Sequence, residues 1–197
     1  MFPDFVRIVQ LNDGRIVYPI FKNGSTAIFK ELGAKEYDLS TISDLDIVDV
    51  FIREPYHRFL SGVTTYCADK GLDVEQASSI INDVYFIDNH FSPQLFWIIN
   101  LHRFTNAKIR INNLSTLPRV TNTDYANAQT GYKDLDQLFK DNSGLKYHIE
   151  LDCVLYENLM GQTVTFDQIM ETLRINYTDL YNQTFGYTKQ IMLSLDI

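Results

Sequence analysis

The chain has 197 residues, 45% of them hydrophobic and 21% charged, which is enough to bury a full core as one domain spanning residues 1–197. Its net charge of −8 excludes a general polyanion-binding surface, so no nucleic-acid partner is expected and any anion has to be caught locally. No run reaches the roughly 18 consecutive apolar residues of a membrane span, and Met1-Phe2-Pro3-Asp4 lacks the basic and apolar regions of a signal peptide, which predicts a cytoplasmic protein without a membrane partner.

Phe5–Gln10 and Arg15–Phe21 are separated by Asn12-Asp13-Gly14, a pattern that predicts a small hairpin or two successive short strands. The second run stops at Lys22-Asn23-Gly24-Ser25-Thr26, just before a predicted helix over Ala27–Leu32 that Gly33 ends. That loop offers a cation, a glycine that admits backbone close to a ligand, and two hydroxyls. A loop opening a helix directs free N–H groups and the positive end of the dipole at an anion. Lys35–Asp46 reads as a polar connection. The run from Ile47 is the next buried strand, and it delivers Arg53, then Pro55 at a first helical position, Arg58 one turn on, and Ser61. Strand, helix, strand in this order implies a right-handed crossover and a parallel pairing, with ligands at the carboxyl ends of the strands. The expected architecture is α/β, with a central mostly parallel sheet flanked by helices.

Phe59, Leu60, Val63 and Tyr66 have helical spacing, and Lys70-Gly71 marks the break. Val74–Ile87 predicts a further amphipathic helix. The loop Asp88–Gln94 precedes the apolar run Leu95–Leu101, which holds the only Trp. Lys108–Ile111 predicts a strand, Thr116–Gly144 loops, Ile149–Tyr156 another strand, and Phe166–Leu173 a helix. The only cysteines, Cys67 and Cys153, lack metal-ligand spacing and predict two reduced thiols; no metal site is expected.

The first loop is not a Walker A sequence, since Lys22 precedes the glycine rather than the Ser/Thr. From here the chain resembles the sulfotransferases that use 3′-phosphoadenosine 5′-phosphosulfate (PAPS). Lys22, Gly24, Ser25 and Thr26 stand where that family has its Lys-x-Gly-Ser/Thr-Thr loop for the 5′-phosphosulfate. Arg53-Glu54-Pro55-Tyr56-His57-Arg58-Phe59-Leu60-Ser61 is similar to the family's Arg-Asp-Pro-x-x-Arg-x-x-Ser, whose Arg and Ser hold the 3′-phosphate. Glu54 replaces Asp, and Val63 stands where many members have Tyr. His90-Phe91-Ser92-Pro93-Gln94 resembles the His-aromatic-x-Pro-Gln of carbohydrate-type members. The family's later Glu-x-Leu strand end has two counterparts, Asn112-Asn113-Leu114 and Glu157-Asn158-Leu159.

The resemblance implies a P-loop-like three-layer fold and transfer of a sulfuryl group from PAPS to an acceptor hydroxyl, on a carbohydrate in the first place, with a small molecule or a peptide tyrosine left open, leaving 3′,5′-adenosine bisphosphate. It implies that Lys22 stabilises the bridging oxygen while Asn23, Gly24, Ser25, Thr26, Arg53, Arg58 and Ser61 hold the nucleotide. For the base, His90 is the first candidate, because an imidazole titrates near neutrality, and Glu31 the second. His57 suits a surface role. Each residue also has a plainer reading: a strand-to-helix turn capped by Ser25 or Thr26, a solvated Arg–Glu helix face, a turn histidine before proline. Two other functions stay open. One is an ATP-dependent phosphotransferase, which needs a Mg²⁺-binding acid at a strand end, with Asp46 or Asp49 available. The other is a non-catalytic nucleotide-binding relative.

Overall fold

The computed structural model describes residues 6–30, 32–73, 75–76, 79, 88–117, 146–179 and 182. Glu31 lies outside these residues, as do most of the helix expected over Val74–Ile87 and most of the loops expected over Thr116–Gly144.

The chain folds as α/β with an open, mixed sheet of six strands among the described residues. β1 (Ile8–Gln10) turns through Gly14, φ +88°, into β2 (Ile16–Val17), giving the expected antiparallel hairpin. The turn needs glycine because that backbone conformation costs a side-chain residue energy. α1 (Ser25–Lys30) follows, then β3 (Lys35–Tyr37), which pairs antiparallel with β1 in a segment expected to be irregular. β4 (Ile47–Ile52) lies parallel to β2, and β5 (Lys108–Asn113) parallel to β4. β6 (Thr163–Val164) closes the row antiparallel to β5, so the order is β3-β1-β2-β4-β5-β6. The parallel pairing expected for the sheet is confined to the central strands β2, β4 and β5.

Alternation along the strands builds two apolar layers. Val48, Val50 and Ile52 face α3 (Gln94–His102), α4 (Lys146–Cys153) and α5 (Phe166–Asn176), with Trp97 among the largest buried side chains. Val17 and Phe51 face the other way, onto Ile28 of α1 and Leu117. Each fully buried residue of this kind contributes about 1.5–3 kcal/mol. α2 (Pro55–Lys70) packs its Phe59, Leu60, Val63 and Tyr66 face against Phe91, with Ile149 of α4 alongside.

The strand expected over Ile149–Tyr156 is a helix: α4 runs to Cys153 and continues as a π-helical turn over Val154–Asn158. Leu151, Val154 and Leu155 are fully buried at helical spacing, and a short apolar run does not distinguish a buried strand from a buried helix. This leaves Asn112-Asn113-Leu114, at the end of β5, as the counterpart that terminates a strand. No helix among the described residues is long and apolar enough to cross a membrane.

Candidate functional site

Both predicted loops emerge at the carboxyl edge of neighbouring parallel strands. After β2 the chain keeps its parallel course, with Tyr18 N donating to Asp49 O at 2.9 Å, then turns with Asn23 N donating to Ile20 O at 3.1 Å. The turn places Lys22 in the left-handed region, φ +67°, and Gly24 likewise, φ +72°. For lysine this is a strained backbone, of the kind retained where the surroundings dictate a side-chain position. Its Nζ donates to Thr65 Oγ1 on α2 at 2.7 Å. Burial pulls the Lys22 pKa down; Asp69 opposes that shift, and the Arg58 and Arg53 charges add to it.

α2 starts abruptly because Pro55 occupies its first turn and the Glu54 carboxylate accepts from Tyr56 N at 3.1 Å and His57 N at 2.7 Å. It stops at Gly71, φ +66°. Along one side it presents Arg58, Ser61, Thr65 and Asp69. Arg53 lies at the end of β4 with its Nη1 buried and without a hydrogen-bond partner among the described residues. Arg58 is turned inward and fully buried, donating from Nη1 to Ser92 O and from Nη2 to Phe21 O at 3.4 Å. Burial lowers its pKa to about 10, with Asp152 opposing and Arg53 adding to the shift, so it stays charged at neutral pH. Arg58 thus ties the first loop to the Ser92 turn, while the Arg53 Nη1 has no such partner among the described residues.

His90 sits in a tight turn in which its own N–H donates to Asp88 Oδ1 at 2.9 Å and Phe91 N and Ser92 N both donate to Asp88 O. Its Nδ1 lies 2.5 Å from Asp88 Oδ1, which orients the ring, and its Nε2 faces Asp69 Oδ2 at 3.4 Å. Asp69 thus pairs with His90 and also counters the burial shift of Lys22. His57 is exposed, paired through Nδ1 with Glu54 at 2.8 Å. Ser25 and Ser61 are partly exposed and Thr26 exposed. Asn23 is buried, its Nδ2 donating to Phe51 O at 2.9 Å and to Gln94 Oε1, so its side chain serves the scaffold rather than an open cradle.

Sequence reasoning missed Thr65, Asp69 and Asp152, and took Gln94 only as the last residue of the His90–Gln94 motif. The first two carry a signal, since they continue the helical spacing from Arg58 and Ser61. Asp152 carries none: it is a buried carboxyl whose pKa is raised by burial, with Arg58 and hydrogen bonds from Gln94 and Leu95 opposing. Among the described residues no cluster of His, Cys, Asp or Glu is arranged to hold a metal ion. Asp49 is engaged by Arg110, whose Nε and Nη2 grip the carboxylate at 2.5 and 2.9 Å, and by Asn112 Nδ2 at 2.9 Å. Asp46 accepts from Ser43 N at 2.8 Å in a turn before β4, at the opposite edge of the sheet.

No family model matches the chain, and neither a curated protein nor a solved structure does.

Proposed function

We propose that the chain is a PAPS-dependent sulfotransferase with a P-loop-like nucleotide site, acting on an acceptor hydroxyl, of a carbohydrate or a small molecule. The observation that carries this reading is that Lys22 and Arg53 follow the ends of two adjacent parallel strands, with the buried Arg53 Nη1 left without a partner among the described residues. Such an arrangement suits a ligand with two separated anionic groups. The carbohydrate class rests on the resemblance of His90-Phe91-Ser92-Pro93-Gln94 alone. The unbridged Cys67 and Cys153 suit the reducing conditions of a cytoplasmic location.

In this reading Ser25, Thr26 and the loop backbone hold the phosphosulfate, and Arg53 with Ser61 holds the 3′-phosphate. The donor supplies a sulfuryl group on a phosphate leaving group. The Lys22 ammonium offsets the negative charge that develops at the bridging oxygen, and His90 takes the acceptor's proton, its ring held by Asp88. The phosphotransferase reading loses support because Asp49 is spent on Arg110 and Asn112 and Asp46 lies at the wrong edge. A second reading, nucleotide binding without transfer, is favoured by one observation: both ring nitrogens of His90 face carboxylates.

Calorimetric titration with 3′,5′-adenosine bisphosphate, 5′-AMP and ATP, without and with Mg²⁺, tests the proposal. Selective, metal-independent binding of the bisphosphate is expected. Preference for Mg-ATP overturns it in favour of phosphoryl transfer, and bisphosphate binding without turnover on any acceptor screened selects the binding-only reading.

A further inference from the structure

The two loops are joined through one side chain that neither contributes. Gln94, the first residue of α3, is fully buried, and all four hydrogen-bonding positions of its carboxamide are filled. Its Oε1 accepts from Asn23 Nδ2 in the first loop and from the Arg53 backbone N–H in the second, the latter at 2.9 Å. Its Nε2 donates to Arg53 O at 3.0 Å and to Asp152 Oδ2 at 3.1 Å. The carboxamide thus grips Arg53 by both backbone groups and holds Asn23 with the same oxygen. Asn23 in turn donates its other hydrogen to Phe51 O on β4.

A carboxamide can be turned over, exchanging donor and acceptor, and the inverted form would face Asn23 Nδ2 and Arg53 N–H with an NH₂ group. Arg53 excludes it, since its N–H can only donate and its carbonyl can only accept. Asp152 stands beyond it on the NH₂ side: its Oδ1 accepts from Leu95 N at 3.0 Å at the start of α3, and its Oδ2 accepts from Gln94 Nε2. The bonds run from Asn23 to Gln94 to Asp152 on α4.

We propose that Gln94 is a positioning residue that fixes the spacing of the two anion-binding loops, and that Asp152 acts through it by holding its carboxamide in place. The coupling itself is a property of the unliganded protein; only its consequence for a nucleotide with phosphates on both ribose positions rests on the function proposed above. With the spacing fixed, a ligand seated on Lys22 presents its second anionic group to Arg53 without further ordering of the loop.

The test is amide exchange followed by NMR in the full chain, comparing wild type with Gln94→Met, which keeps the volume and forms none of the four bonds, and with Asp152→Asn. Asparagine can still accept from Leu95 while turning an NH₂ toward Gln94. Exchange of the Arg53 N–H and of the Asn23 side-chain amide is expected to quicken together in both variants, by roughly three- to tenfold for each hydrogen bond lost. Val50 and Ile111, in the centre of the sheet, should keep their protection, which shows that the fold is intact. The double variant should match Gln94→Met alone at Arg53 and Asn23, because Asp152 acts through Gln94. If Asp152 only caps α3, Asp152→Asn will alter Leu95 and leave Arg53 and Asn23 as in wild type, and the proposal falls. Gln94→Met alone decides the matter if Asp152→Asn does not fold: unchanged exchange at Arg53 refutes the coupling. Titration of the same proteins with 3′,5′-adenosine bisphosphate and 5′-AMP forms a separate arm. Wild type without preference for the bisphosphate refutes the sulfotransferase reading while the exchange result still judges the coupling.

Discussion

Replacing Gly62 with alanine sets two effects of opposite sign against each other. Gly62 lies within α2 in ordinary helical backbone, so helix propensity alone makes alanine better by about 1 kcal/mol. A Cβ at this position would meet the His90 carbonyl oxygen at 2.1 Å, its carbonyl carbon at 2.7 Å and Phe91 Cα at 2.9 Å. Carbon–oxygen contacts settle at about 3.3–3.6 Å, so the two segments have to part by more than ~1 Å. The obstacle is backbone, and that backbone is held. Asp88 O accepts from Phe91 N and Ser92 N, Arg58 donates to Ser92 O, and the Phe91 ring packs edge-on to Phe59 and Tyr66 at centroid distances of 6.0 and 5.5 Å. Overpacking of this kind costs about 1–3 kcal/mol, and a contact with held backbone belongs at the upper end. The net expectation is a loss of about 2 kcal/mol, which for a chain of this length lowers Tm by about 4–8 °C. Urea and thermal unfolding measure it, and the His90 ring resonances report whether the turn has moved. A Gly62→Ala protein as stable as wild type, or more so, would mean that propensity wins and that the His90 turn is not seated on α2.

The other substitutions probe the charges. Lys22→Ala is expected to lower sulfuryl transfer by about 100-fold or more, the scale of losing one charge stabiliser in a transition state, while nucleotide affinity changes far less; equal losses in both would remove Lys22 from the chemistry. Burial makes the folded chain hold the Lys22 proton less tightly than the unfolded chain does, so this group's contribution to stability rises as pH climbs from the lowered value toward the ordinary 10.5. Lys22→Met should flatten that alkaline rise in urea titrations, and an unchanged slope would refute the burial argument. Arg53→Met is expected to weaken binding of 3′,5′-adenosine bisphosphate by about 10- to 100-fold, as befits a lost charge-assisted hydrogen bond, leaving 5′-AMP nearly unaffected in the same calorimeter. Asp49→Asn should destabilise the fold by about 1–3 kcal/mol, since Arg110 and Asn112 lose their shared carboxylate. Nucleotide binding by that variant should remain as indifferent to Mg²⁺ as in wild type.

Much of the fold is legible because the chain is punctuated. Gly14, Pro55 and Gly71 place the hairpin and both ends of α2, and Thr165 with Gln168 forms a reciprocal capping box at the start of α5. β3 is not legible: Lys35-Glu36-Tyr37 is an exposed edge strand with no apolar alternation, and it exists because β1 offers it a partner. α4 is misread because its buried residues form a short apolar run that fits either period. The loops carrying Lys22 and Arg53 can be found in sequence, since strand ends and helix starts have local signals. Gln94 ends the His90–Gln94 motif, but neither its contacts nor Asp152 can be found that way. Gln94 meets Asn23 across 71 positions and Asp152 across 58, so only the folded chain brings them together. Arg58 has the expected spacing on α2, but spacing does not show that its guanidinium donates to the backbone carbonyls of Ser92 and Phe21.

The distribution of unsatisfied groups distinguishes a site from an ordinary loop cluster. Buried polar atoms without partners are costly, at about 1–3 kcal/mol each, and a folded chain retains few. Among the described residues they are Tyr18 Oη, Asn23 Oδ1, Arg53 Nη1, Arg58 Nε, Asn89 Oδ1 and Asn158 Nδ2. Asn23, Arg53, Arg58 and Asn89 belong to the two strand-end loops, the first turn of α2 and the His90 turn. If these segments were only connections, apolar side chains of similar volume at Arg53 and Arg58 would fill the same space without that cost. Instead the edge combines unpaired donors on Arg53 and Arg58, a left-handed lysine and a glutamine whose every hydrogen-bonding position is filled. The strained lysine and the unpaired arginine nitrogens lie at this edge, while Gln94, which holds Arg53, has every bonding position filled in the core. Under the function proposed above, that division keeps the Arg53 charge apart from a partner until an anionic ligand arrives.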